Sequence, residues 1–215
     1  MLKTNGMRQE TAERLLLDAG AVYKNLTYEQ ETGEFTATLL GATSGGNEFN
    51  AEIEYRQPEI DGAKGRIKGL EFINAHNAYL TINMKELVAD TLRLAIGAAD
   101  IKTDDPNYDI IQPRKIVKNE DYLDNIAWVG RLSKGGRPVV IVLDNVLSAE
   151  GFSMTPEDSN EAIVPITLYA HADLSELESD EAPYRIYWPK GAPETPEQQA
   201  STQSTNDTES EEESA

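Results

Sequence analysis

The sequence predicts a mainly β protein: a β-sandwich or partial barrel of about eight strands with one flanking α-helix. Three observations carry this. Apolar and polar residues alternate at period two in several separate segments, most cleanly where Phe49, Ala51, Ile53 and Tyr55 oppose Asn50, Glu52, Glu54 and Arg56. One segment alone, residues 86–99, spaces its apolar residues as a helix does. Glycine and proline punctuate the runs, as at Gly135-Gly136 and Pro58. Many strands with a single helix must bury sheet against sheet.

Taken in order, the elements read as follows. Leu15-Leu16-Leu17 and Ala21-Val22-Tyr23 predict two short strands around a turn at Asp18-Ala19-Gly20. Residues 35–40 alternate again, and 49–56 form a strand with one wet face. Residues 57–70 carry Gly62, Gly65 and Gly69 among mixed charges, which predicts a long loop between two long strands. In the strand that follows, Ala78, Leu80, Ile82 and Met84 oppose Asn77, Tyr79, Thr81 and Asn83. The helix is expected over 86–99, packing through Val88, Leu92, Ala95, Ile96 and Ala99, with Asn83 and Glu86 as a capping box. An acidic loop follows at 100–114. Residues 126–132, 139–143, 163–169 and 184–188 complete the strands, the first two joined as a hairpin through Gly135-Gly136. Domain organisation is then an arm at 1–12, a β domain over 13–190 and a tail at 191–215.

The chain has 215 residues, 19 Lys+Arg, 38 Asp+Glu, a net charge of −19 and no cysteine. That excludes disulfides, thiolate metal sites and thiol nucleophiles. The charge opposes direct capture of phosphate backbones. Seven acids and no base lie beyond Lys190, leaving 31 acids and 19 bases, a net −12, in the remainder. The tail is polar and acidic throughout and is expected to be disordered. No run approaches the ~18 apolar residues of a membrane helix. The opening residues lack an apolar h-region, so synthesis and assembly in the cytoplasm are expected.

Candidate chemistry is sparse. Asp105, Asn107 and Asp109 match the start of an EF-hand loop, but Ile110 and Ile116 stand where Gly and Glu are needed. GAKGRIKG at 62–69 lacks the P-loop spacing. His76 and His171 have no ligand-spaced partner. The sequon at Asn25 has meaning only after export. No catalytic residue, cofactor or metal is predicted, and the chain is not expected to be an enzyme.

One stretch is informative as a whole. LLGATSGGNEF (39–49) runs into NAEIEYRQPEIDGAKGRIKGLEFI (50–73) and AYLTINMKEL (78–87), preceded by DAGAVYKNL (18–26). These blocks, in this order over about residues 13–100, resemble the major tail tube proteins of long-tailed, non-contractile bacteriophages. The resemblance implies a sandwich or partial barrel with a flanking helix. It also implies a virion protein whose copies form hexameric rings, stacked head to tail into a hollow tube that conducts DNA. Its partners would be itself and other tail proteins (tape measure, terminator, distal tail), with no membrane. Ring stacking would fall on the 57–70 loop at Gln57, Glu59, Asp61, Lys64, Arg66 and Lys68. The polar faces Asn50, Glu52, Glu54, Arg56 and Asn77, Tyr79, Thr81, Asn83 suit a water-filled lumen, and equally suit ordinary solvent-facing strands. An acidic lumen would repel DNA phosphates and let a duplex slide, over a Debye length of ~8 Å.

Three other readings share these features. An acidic DNA mimic would inhibit a nucleic-acid enzyme as a monomer or dimer. A β-sandwich binding module would hold a concave pocket. A tail terminator or distal ring would close single rings without elongating.

Overall fold

The computed structural model describes residues 6–8, 11–62, 65–156, 158, 161–173 and 181–190. Lys64, much of the expected arm and the expected disordered tail lie outside the described residues. In chain order the strands are β1 (Leu16–Glu29), β2 (Glu34–Leu39), β3 (Thr43–Arg56) and β4 (Phe72–Met84). After them come helix α1 (Ala89–Ile96), then β5 (Ala99–Lys102), β6 (Ile110–Pro113), β7 (Leu123–Leu132), β8 (Val139–Ser148), β9 (Val164–Tyr169) and β10 (Tyr184–Tyr187). Every strand pair is antiparallel. The protein is therefore mainly β with one α-helix. Among the described residues, no helix is long and apolar enough to cross a membrane.

The strands follow the order β2-β1-β7-β8-β9-β4-β3, with β10 also on β8 and β5-β6 as a separate hairpin. Strand β8 serves two sheets. Its first part pairs β7 and β10, while Leu147 and Ser148 pair β9. The change of sheet follows Asn145, which has φ 47°, a region Asn tolerates better than most residues. The Asn145 amide donates to the His171 carbonyl at 3.3 Å, and His171 Nδ1 lies 3.0 Å from the Asn145 carbonyl. This pair pins the bend.

The two sheets face each other across the core. Val22, Ile126, Trp128 and Leu143 come from one side, and Leu80, Ile82, Met84, Ile166 and Leu168 from the other. Leu94 and Ala95 of α1 join the same core. A smaller core of Leu26, Ala127, Val140 and Val142 lies apart from it, with Phe35 and Tyr187 packed on it. There the Tyr187 ring sits 5.1 Å from Tyr28 and 5.3 Å from Phe35. Strands β1 and β10 are three strand spacings apart, ~14 Å if the sheet were flat. The sheet therefore coils to bring its edges together, giving a sandwich with a partial barrel and no closed barrel.

Four expectations need correction. Within residues 13–27 there is one strand, not two: β1 begins at Leu16 and runs on past residue 27, while Thr11–Glu13 form a 3-10 turn. Leu17 pairs Arg131 and Ala21 pairs Val129, so Asp18-Ala19-Gly20 is a bulge. Asp18 and Gly20 take φ 69° and 73° there, which is why the segment reads as a turn. The bulge seats Trp128, whose Nε1 donates to the Ala19 carbonyl at 2.8 Å. A Cβ on Gly20 would sit 2.3 Å from that nitrogen, and one on Gly130 only 2.1 Å from the indole ring.

The helix is shorter than 86–99. The Ala42 carbonyl accepts from the N–H groups of Lys85 and Glu86, and Glu86 Oε2 accepts from the Ala42 N–H at 3.0 Å. That ties Glu86 to the β2–β3 connection, not to a capping box with Asn83. Thr91 Oγ1 instead accepts the Val88 N–H at 2.9 Å. The helix ends at Gly97, φ 84°, where a Cβ would meet the Ser148 carbonyl at 2.7 Å.

The expected helix face is accordingly revised. Ala95 is buried and Leu92 and Ile96 are half-buried, but Val88 is half exposed at the N-cap, and Ala99 is buried within β5. Thr91 and Leu94 carry the burial that the spacing missed. Finally, the 100–114 loop contains most of the β5-β6 hairpin, held by Ala99–Pro113 to Lys102–Ile110 pairing.

Candidate assembly surfaces

The register of β3 on β4 decides which residues share a face. Asn50 pairs Tyr79 and Glu52 pairs Asn77, so the two candidate lumen sets form one surface. Glu48 joins them opposite Thr81. The surface continues onto β9, where Tyr79 pairs Tyr169, Thr81 pairs Thr167 and Asn83 pairs Pro165. Thr81 and Thr167 hydroxyls lie 3.2 Å apart, and the Tyr79 and Tyr169 rings 5.4 Å apart. Asn77 Nδ2 donates to Glu54 Oε1 at 3.1 Å. Glu52, Glu54, Arg56 and Asn77 are exposed, while Asn50, Tyr79, Thr81 and Asn83 are half-buried. The Asn83 amide donates to the Gly46 carbonyl at 3.0 Å and so is engaged within the fold. Arg56 lies over the Phe72 ring, 5.9 Å from its centroid.

The charge on this surface is acidic: Glu48, Glu52 and Glu54 against Arg56. Tyr169 lies on the same surface, paired with Tyr79. The phenol donates to Glu150 Oε1 at 2.7 Å, and this bond to a carboxylate raises the Tyr169 pKa above the ordinary phenol value. Desolvation and the charges of Glu150 and Glu52 push the same way. Glu48, Glu150, Thr167 and Tyr169 were not among the sequence candidates. The alternation of Pro165, Thr167 and Tyr169 against Val164, Ile166 and Leu168 is the signal that would have found the last two.

The opposite face of the β3–β4 hairpin begins in the core and leaves it. Phe49 packs 5.7 Å from Tyr184, ring to ring. Further out, Ile53, Tyr55 and Ile73 are 39%, 57% and 54% exposed. From Ile53 to Arg56 the hairpin thus runs past the sandwich for roughly 10 Å. It bears an apolar stripe on one side and acids on the other.

The connecting loop sits at the far end. Gln57 Nε2 donates to the Gly65 carbonyl at 3.1 Å, which folds the loop back on itself. Gln57 is half-buried; Glu59, Asp61, Arg66 and Lys68 are exposed, with Ile60 half exposed beside them. Arg66 lies 3.7 Å from Glu71. The loop therefore presents both signs of charge around a small apolar spot.

The remaining candidates fall to local structure. Asp105 Oδ1 accepts the N–H groups of Asn107 and Tyr108 at 2.8 and 3.0 Å, an Asx turn. The His76 ring stands 6.4 Å from Tyr184, its Nδ1 buried without a hydrogen-bond partner. No family model matches this chain, and no curated protein matches its sequence.

Proposed function

We propose that this chain is a structural virion protein of a bacteriophage, assembling as stacked hexameric rings into a tail tube that conducts DNA. The observation that carries the reading is the continuous acidic surface of β3, β4 and β9 on a hairpin that outruns its own core. A 14-residue edge strand such as β3, paired on one side alone among the described residues, invites a partner strand. An exposed stripe of Ile53, Tyr55 and Ile73 behind it supplies apolar area for a neighbouring copy to cover. Contacts of this kind, made head to tail, either close into rings or grow as filaments.

In this assembly the acidic surface lines the lumen, and the 57–70 loop reaches the next ring. Repulsion between phosphates and Glu48, Glu52 and Glu54 keeps a duplex moving rather than bound. The protein partners are further copies of the chain and the proteins that start, measure and end a tail. Negative-stain microscopy of the purified chain, across salt and protein concentration, tests the class. Hollow tubes of constant width are expected. Single rings that never elongate would transfer the chain to a terminator or distal ring. Monomers that bind a basic protein tightly at every condition would favour the acidic DNA mimic.

A further inference from the structure

The first sheet, β2-β1-β7-β8 with β10, carries a groove away from the surface of β3, β4 and β9. Its floor is aromatic. Tyr28, Phe35 and Tyr187 stack within 4.7–5.3 Å of one another, and Trp188 beside them is 60% exposed. Together with Pro138 and Pro189 they frame a space of about 620 Å³. Two cations stand at its rim, Arg137 and Lys190. A Cβ on Gly33 would lie 3.1 Å from the Arg137 guanidinium nitrogens, so the turn after β1 holds that group against its backbone. Neither cation has a carboxylate within ion-pair distance among the described residues. In a chain of net charge −19, two unpaired cations beside four clustered aromatics are an unusual combination.

Aromatic grooves of this kind recognise polyproline II segments, whose shape is set before binding. Three residues per turn put positions i and i+3 on one edge. The sequence just past Lys190 has this pattern twice over. Pro193 and Pro196 are three apart, and so are Glu194 and Glu197. A polyproline II helix over residues 193–197 would lay both prolines along one edge and both carboxylates along the adjacent one.

We propose that this groove binds an acidic polyproline II peptide, and that the occupant is residues 193–197 of the same chain. The prolines cover the aromatic floor and the carboxylates pair with Arg137 and Lys190. Tethering favours the same copy, because only Gly191 and Ala192 separate Lys190 from Pro193 and the effective concentration over so short a link is in the millimolar range. The seat draws the acidic tail over the first sheet, away from the acidic surface of β3, β4 and β9.

The test uses the full chain carrying Arg137→Lys, which places a reactive amine at the rim. Zero-length carboxylate–amine cross-linking is read by mass spectrometry on a mixture of isotopically light and heavy protein. Lys134 and Glu13, 2.7 Å apart, serve as the internal positive control. The expected product joins position 137 to Glu194 or Glu197 within one isotopic form. The cross-link is lost in a second variant that also carries Pro193→Ala and Pro196→Ala, and Trp188 then becomes more accessible to acrylamide. Cross-links that join only light to heavy copies would overturn the same-chain seat. Control cross-linking at Lys134 with none at position 137 would overturn the proposal outright.

Discussion

Tyr169 is the residue on this surface whose titration is displaced, and Glu150 is the main cause, with Glu52 adding the least. The Tyr169 pKa is raised first by the hydrogen bond to Glu150. The protonated phenol is the bonded form. The stabilisation is therefore complete below the unfolded phenol pKa of ~10 and is lost as pH climbs through the higher folded value. Ultraviolet titration of phenolate should find Tyr169 titrating late, and Glu150→Gln should move it down. A second residue-scale expectation concerns Trp128. Gly130→Ala places a methyl inside the space of the indole, and overpacking of this kind costs about 1–3 kcal/mol. Denaturant unfolding followed by Trp128 emission reads that loss. Leu80→Ala, at a fully buried position, should cost about 2–5 kcal/mol in the same assay.

Among the elements, the β3–β4 hairpin is where the proposed assembly can be tested apart from folding. Tyr55→Thr with Ile73→Thr alters only exposed positions and keeps strand-forming residues in that cross-strand pair, so stability should stay within about 1 kcal/mol of the parent. The same pair should abolish polymerisation, which light scattering detects. The hairpin was also the most legible part of the sequence. Its alternation gave both faces of β3 and β4, because one face is wet and the other partly dry. The gaps have physical causes. Asp18 to Gly20 carries turn residues, yet the positive φ they permit serves a bulge that seats an indole. Strands β5 and β6 have four residues each, too few to show a period, and lie in an acidic segment that reads as loop. The helix pattern ran on through Gly97 because Ala99 is apolar, but its burial belongs to β5. Glu150 lies outside any strand, and its hydrogen bond to Tyr169, 19 residues away, is not written in either segment alone.

For the whole molecule, charge is the deciding term. A net −12 outside the tail, repeated around the proposed ring, would oppose association, and screening shortens its reach from ~30 Å at 0.01 M salt to ~8 Å at physiological strength. Assembly should therefore speed up with added salt up to the range where the acids are screened, the reverse of a nucleic-acid complex held by counterion release. Turbidity against sodium chloride concentration checks that sign. The most direct measurement is a cryo-electron microscopy reconstruction of assembled full-length protein. The account predicts a hollow tube of stacked rings whose inner wall carries Glu48, Glu52, Asn77 and Tyr79, with the 57–70 loop at the junction between rings. A tube with that surface on its exterior, or with a basic lumen, would contradict it.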